Sequence, residues 1–425
     1  MKKLSIKNFT LLFGIGFLWS VFFIQPNWLW ADEPLTLQQC YDLALKRSET
    51  IAIQKEIIKE AEGRFLQSLS GVMPDASFIY TDKRQDGRSG SNFTLSEVPE
   101  GRFTFTQPLF SGFKEFAAIA AGKAEKRQKL QEEKRAKQLL FMDVADAFYL
   151  YLSYQEESET LKTISIALGE RIEELKKRED LGRSRPSESA NAELRLSRNE
   201  AQQELIESQW QVARQLLEFL TGQGIVNVVD TDSLGYPFLE EGEFLSKMPD
   251  RPDVKAAREA LYIATKQITR AKADYFPTVD LDGNYYTKRV GNSSGVDWDM
   301  TLTIEAPIFR GTEIMGKVKE AKALSEQAKL TLSEKERNAV LEIQNSFTQW
   351  QANLRRSVAL EKAVAAAEKN YQLQKEDYHL NLVNNLTVLD ALEELQSTRR
   401  EYITVKNETK RSYYKLIVAT GEDIP

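Results

Sequence analysis

Two stretches of 68 residues, Phe113 to Asp180 and Thr312 to His379, contain no proline. As helices at ~1.5 Å per residue, each would be a rod of roughly 100 Å, too long for a globular domain. Such a rod must pack side by side with others. Within the first, Leu161, Ile164, Leu168, Ile172 and Leu175 form one apolar stripe, with Glu, Lys and Arg elsewhere. Both rods meet a break, LGRSRP at Leu181 to Pro186 and LNLVNN at Leu380 to Asn385. Gly182 and Asn381 are residue types that end helices in the left-handed conformation, and Pro186 suits the first turn of the next helix. Antiparallel return helices are expected at about Ser187 to Thr221 and Leu386 to Thr420. The first carries small and apolar residues at Ala190, Leu194, Ala201, Leu205, Val212 and Leu216.

The two breaks belong to a longer repeat. A shift of 203 positions aligns Glu49 to Phe78 with Pro252 to Leu281 and sets Pro74 on Pro277. A shift of 199 aligns TFTQPLFSG (Thr104 to Gly112) with TIEAPIFRG (Thr303 to Gly311), and FLTG with VATG near the end. The chain reads as a tandem duplication: a first repeat over 32–222, a joint over 223–250, a second repeat over 251–421, and a tail over 422–425. Each repeat runs helix, strand pair, long helix, tip, return helix.

The first opening helix is expected to run unbroken from Leu35 to Val72, with Pro74 ending it. Strand pairs follow at 75–107 and 278–306. In the second pair Trp298, Met300, Leu302 and Ile304 alternate with Asp299, Thr301, Thr303 and Glu305, the period of a strand with one apolar face. In the first pair Phe103 and Phe105 alternate with Thr104 and Thr106, and Pro99 and Gly101 are expected to shorten the strand. Four strands per chain can neither make a covered sheet nor close a barrel. Opening and return helices together come to 73 residues against 68 for the first rod, and 59 against 68 for the second. They should stack end to end along each rod, their ends gathering in a belt around its middle.

Residues 1–31 have the order of a secretory signal: Lys2, Lys3 and Lys7, an apolar run from Phe9 to Ile24, then small Ala31. The rival is an uncleaved anchor; the run has 16 residues against the ~20 of a spanning helix, and Gln25, Pro26 and Asn27 interrupt it. Cleavage removes three of the 57 basic side chains and no acid, leaving 54 against 63, a net charge of −9 that argues against a nucleic-acid partner. One cysteine, Cys40, and one histidine, His379, supply neither a metal cluster nor a His-based triad. Cys40 reads as a small buried side chain. No pocket signature or cofactor loop accompanies the carboxylates, so neither an enzyme nor a cofactor is expected.

Taken in order, LQQCYDLAL, FTQPLFSG, IEAPIFRG, YHLNLVNNLTVLDALEEL and ATG resemble the TolC-like outer membrane efflux and secretion channels, over nearly all of the mature chain. The resemblance implies a mainly α fold with a small β part. Long coiled-coil hairpins would form an α-barrel across the periplasm of a Gram-negative bacterium. Four strands per chain would contribute to a shared 12-stranded transmembrane β-barrel in a homotrimer. Pro108 and Gly112, and Pro307 and Gly311, would mark the strand-to-helix turns. Trp298, Met300, Leu302 and Ile304 would face outer membrane lipid. The pore constriction would involve Tyr378 as a latch and Asp390 as an acidic ring. Thr387 stands where a first aspartate is expected, and Val383 where the latch partner is an arginine. Asp390 also suits the first turns of its helix for reasons of dipole alone.

Leu181, Gly182, Arg183 and Ser184, with Leu380, Asn381, Leu382 and Val383, resemble the tips on which a periplasmic adaptor docks; a plain helix-turn-helix connection is the alternative. The implied function is a passive exit duct for a tripartite efflux pump or type I secretion system, powered by an inner membrane pump or ABC transporter. A periplasmic coiled-coil scaffold without a pore is the other reading. It leaves the lipid-like strand alternation unexplained.

Overall fold

A computed structural model describes residues 34–86, 95–231 and 240–422. The expected signal segment, residues 232–239 of the joint and 423–425 of the tail lie outside them. The element order is α1 (Leu37–Arg47), α2 (Glu49–Ser70), β1 (Asp75–Arg84), β2 (Glu97–Ser111), α3 (Lys114–Asp180), α4 (Pro186–Thr221), α5 (Glu241–Ser246), α6 (Pro252–Ala273), β3 (Thr278–Lys288), β4 (Trp298–Glu305), α7 (Glu313–His379) and α8 (Asn385–Thr420). The fold is mainly α, with one antiparallel sheet in the order β1-β2-β3-β4.

The rods α3 and α7 have 67 residues each, as the missing prolines predict. Both end in the same way. Gly182 N–H donates to Glu179 O and Arg183 N–H to Arg178 O, while Asn381 N–H donates to Tyr378 O and Leu382 N–H to Asp377 O. These paired bonds are the Schellman closure, with Gly182 at φ 67° and Asn381 at φ 62°. The stripe Leu161, Ile164, Leu168, Ile172 and Leu175 is buried, at 0–8% exposure.

Three expectations need correction. The opening helix is two helices, because Ser48 is extended (ψ 114°) and its hydroxyl accepts from Ile51 N–H at 3.4 Å, capping α2 where α1 stops. α2 and α4 thus meet end to end near Ser48, where a Cβ on Gly222 at the end of α4 would lie 2.8 Å from Cδ of Arg47, the last residue of α1, while α1 itself packs beside α3 and α4. The stacked pair is 22 plus 36 residues in the first half and 22 plus 36 in the second, not 73 and 59.

The row of α4 that packs within the chain is Ser189, Ala192, Asn199, Ile206, Ala213 and Leu217. Ala190, Leu194, Ala201, Leu205, Val212 and Leu216 are exposed instead. Both rows have helical spacing, and period alone does not say which one meets α3.

Strand β2 is not shortened either; it spans 15 residues through Pro99, Gly101 and Pro108. Pro99 lies outside the stretch paired with β3, which begins at Gly101. Register shifts at Gly101/Arg102 and Pro108/Phe110 absorb the other two irregular residues.

A belt of short elements surrounds the middle of the rods. Cys40, Tyr41 and Ala44 of α1 pack with Phe141, Phe148 and Tyr151 of α3, Leu217 of α4, Ile225, and Tyr414 of α8. Burial pushes the Cys40 thiol up to about 12. Phe244 of α5 packs with Ile343, Phe347 and Trp350 of α7 and Leu416 of α8. Main-chain bonds from Leu35 N–H to Asn227 O and Val229 N–H to Leu35 O tie the start of the described chain to the joint.

Arg251, only 2% exposed, closes the other side of the belt. It donates to Ala419 O at 2.7 Å and pairs with Asp253 at 2.8 Å and Glu342 at 2.7 Å. Burial by itself raises the Asp253 carboxyl, but the hydrogen bonds and charge of Arg251, with Arg135 behind, outweigh it. The group is held below the ordinary carboxylate value.

Because that folded value is lowered, the stability Asp253 contributes is complete above its ordinary pKa and is lost as pH falls through the folded one. Asp253→Asn should therefore cost about 1–2 kcal/mol at pH 7, with the gap to wild type closing below about pH 4 in denaturant titrations of detergent-solubilised protein. Gly421 has φ 80°, and a Cβ there would sit 2.7 Å from Arg251 Cα, whereas Gly182 has open space around it. Gly421→Ala should thus cost more than ~2 kcal/mol and Gly182→Ala only about 1–2, the backbone term alone, in the same titrations.

Candidate functional site

The sheet has two unlike faces. Phe78, Phe103, Tyr285 and Trp298 stand in one row across the four strands, next to a row of Ala76, Phe105, Gly283 and Met300. Leu302 and Ile304 continue this face opposite Leu281 and Val279. Trp298, Met300, Leu302 and Ile304 are 57–66% exposed, although all are large and apolar. The opposite face is a polar ladder. Thr104 Oγ1 donates to Asn284 Oδ1 at 3.0 Å, Asn284 Nδ2 to Asp299 Oδ1 at 2.8 Å, and Thr106 Oγ1 to Asp282 Oδ1 at 2.7 Å.

Each strand exit carries a left-handed glycine, Gly112 at φ 66° and Gly311 at φ 58°. A Cβ on Gly112 would stand 2.6 Å from Ala273 O, so the first turn is closed to larger residues. The prolines differ: Pro108 sits inside β2, and Pro307 follows the end of β4. Ser111 pairs with Thr278 of β3 and extends the central strand, while β4 lies at the edge of the sheet.

At the far end of the rods, the two tips are held to each other. Tyr378 is 6% exposed, its ring between the guanidinium groups of Arg171 at 3.7 Å and Arg178 at 4.5 Å. Glu174 lies one turn from each arginine and pairs with both, at 2.6 Å and 3.0 Å. Arg171 Nε also donates to Asn385 Oδ1 at 2.8 Å, joining α3 to the start of α8. Tyr378 shares an apolar cluster with Leu175, Val388, Leu389 and the partly buried Val383. His379 Nδ1 is 3.8 Å from Glu174.

Asp390 lies on α8 and is paired with Arg195 of α4 at 2.6 Å. Arg195 also donates to Leu389 O at 3.1 Å and pairs with Glu393. Asn199 accepts from Gln396 at 2.7 Å one turn further along. Thr387 serves the helix start: its N–H donates to Asn384 Oδ1 at 3.0 Å, the capping geometry of α8.

The structure therefore brings Tyr378 and Val383 together, sets Asp390 beside Arg195, and leaves Leu181, Leu380 and Leu382 exposed at 68–70%. Sequence reasoning missed Arg171, Arg178, Arg195 and Asn385. A usable signal existed for one of them, since Arg171 interrupts the buried stripe immediately before Ile172.

The sheet with its exposed apolar face thus continues into rods far longer than a domain. Residues 40–223 and 249–422 match the family described as Outer membrane efflux protein. The chain belongs to that family. The Outer membrane protein TolC of Vibrio cholerae is 22% identical over 403 residues, covering 91% of this chain and 88% of that protein. The Alkaline protease secretion protein AprF of Pseudomonas aeruginosa is 20% identical, over 91% and 84% of the two chains. The crystal structure of the outer membrane protein VceC from Vibrio cholerae superposes with a TM-score of 0.79 at 22% identity, covering 91% and 96%. Outer membrane efflux proteins are ducts, not enzymes, and this chain has the general role of an outer membrane factor.

The clamp makes a measurable prediction. Spin labels at Leu181 and Leu380 should report one narrow distance in wild type. Arg195→Ala combined with Tyr378→Leu should broaden and lengthen it by several ångströms. An unchanged distribution would mean that these contacts do not hold the tips.

Proposed function

We propose that three copies of this chain close their sheets into one 12-stranded barrel in the outer membrane of a Gram-negative bacterium. The rods continue it as a tunnel across the periplasm, the exit duct of a tripartite efflux pump or a type I secretion system. The observation that carries this reading is the sheet: four strands, two edges unpaired among the described residues, one face apolar and exposed, the other a polar ladder. In lipid every backbone N–H and C=O needs a partner, so such a sheet has to join others in a closed ring. Two copies would supply eight strands, and the family resemblance favours three. Trp298, Met300, Leu302 and Ile304 then face lipid, and Asp299, Thr301, Thr303 and Glu305 the lumen.

Tyr378, Thr387 and Asp390 lie near the periplasmic entrance, where the duct constricts. The entrance opens when the Tyr378 clamp and the Arg195 pairs release. A periplasmic adaptor docks on Leu181 to Ser184 and Leu380 to Val383 and links the duct to an inner membrane pump or ABC transporter, which supplies the energy. The non-pore scaffold accounts for the rods but not for an apolar face standing opposite a hydrogen-bonded polar one.

The test is single-channel conductance of the mature protein in a planar bilayer. Small, cation-selective currents should appear, reduced by divalent cations and relieved of that block in Asp390→Ala. Arg195→Ala should deepen the block, because it frees the Asp390 carboxylate from its ion pair. Failure of well-folded protein to insert or conduct would support the scaffold.

A further inference from the structure

The tips carry side chains that their own fold does not use. Leu181 and Leu380 occupy the same position after each rod, 70% and 68% exposed, and Leu382 is 70% exposed. In a Schellman closure the residue two past the cap usually packs back on the helix. Here those residues are Arg183 and Leu382, and both point into solvent.

The charge is as one-sided as the exposure. Arg183 and Arg185 are exposed and make no ion pair among the described residues, while the second tip has no charge between Leu380 and Asn385. The carboxylates next to the first tip are otherwise engaged: Glu188 accepts from Ser184 at 2.9 Å and Glu179 from Ser189 at 2.9 Å. Asp180, the last residue of α3, is exposed and pairs with neither arginine. Three bare leucines beside two unpaired arginines form a mixed surface that water satisfies only in part.

We infer that the partner seated on this surface is a protein whose contact end is apolar and edged by carboxylates. The leucines of both tips enter its apolar part, and Arg183 and Arg185 meet its acids. This rests on the tips being the docking surface proposed above, and it adds the sign of the partner's charge. A basic-edged partner would set like charges together and be rejected.

The test is in-cell photo-crosslinking of the full-length protein with a photoreactive residue at Leu382, outer membrane levels being checked for each variant. The adduct should map to a partner segment with Asp or Glu within one helical turn of the crosslinked position. The double variant R183E/R185E should lower the yield at least about fivefold, and R183Q/R185Q should lower it less. Changing the mapped carboxylate to lysine should restore the yield with R183E/R185E. An adduct that is insensitive to R183E/R185E would overturn the charge inference and leave the docking surface standing. No adduct from either Leu382 or Leu181, with normal protein levels, would overturn both.

Discussion

Backbone polar groups at a strand edge have no partner in lipid, and everything else in this molecule follows from how that is handled. A four-stranded sheet cannot hide both edges. Its exposed row of Trp298, Met300, Leu302 and Ile304 cannot rest in water without loss, because burying each such side chain is worth about 1.5–3 kcal/mol. In the proposed ring, further copies pair the edges and lipid covers the apolar row. The duplicated topology then serves closure, since each half contributes two strands that lead through a left-handed glycine into a rod.

The rods transfer the problem to another scale. A 67-residue helix has an apolar stripe too long for any one partner of ordinary length: α3 is lined by α2, α4, α6 and α8, and α7 by α6 and α8, helices of 22 and 36 residues. Their meeting point is where short elements are needed. In the first half α1 fills it with Cys40, Tyr41 and Ala44, and in the second α5 does so with Phe244. Arg251 is tolerated in that apolar belt because Asp253, Glu342 and the Ala419 carbonyl satisfy its guanidinium group. Gly421 leaves room for it.

At the tips a buried apolar cluster joins the hairpins, and polar contacts from Arg171, Arg178 and Arg195 add to it. Arg171 and Arg178 flank the Tyr378 ring, and position 383, where the resemblance implies an arginine, is valine. Held by Arg195, Asp390 presents less free charge than its sequence position suggests. The pairs of Arg195 with Asp390 and Glu393 are partly exposed and each contributes little alone, which suits the proposed opening of the entrance.

Much of this was legible in the sequence. The two rods, their left-handed ends at Gly182 and Asn381, the buried stripe from Leu161 to Leu175, the four strands and the burial of Cys40 all follow from local rules. Absence of proline, helical or alternate spacing and turn chemistry each act over a few residues, so the chain itself determines them. Tertiary structure decided the rest. Ser48 breaks a helix that periodicity would continue, because its hydroxyl offers a cap where the belt needs a turn. Strand β2 runs through Pro99 because β3 does not reach that far. The row of α4 that turns inward, and the arginines that hold Tyr378 and Asp390, depend on which surfaces lie opposite. The arginine contacts join segments about 200 residues apart, and no local period encodes them.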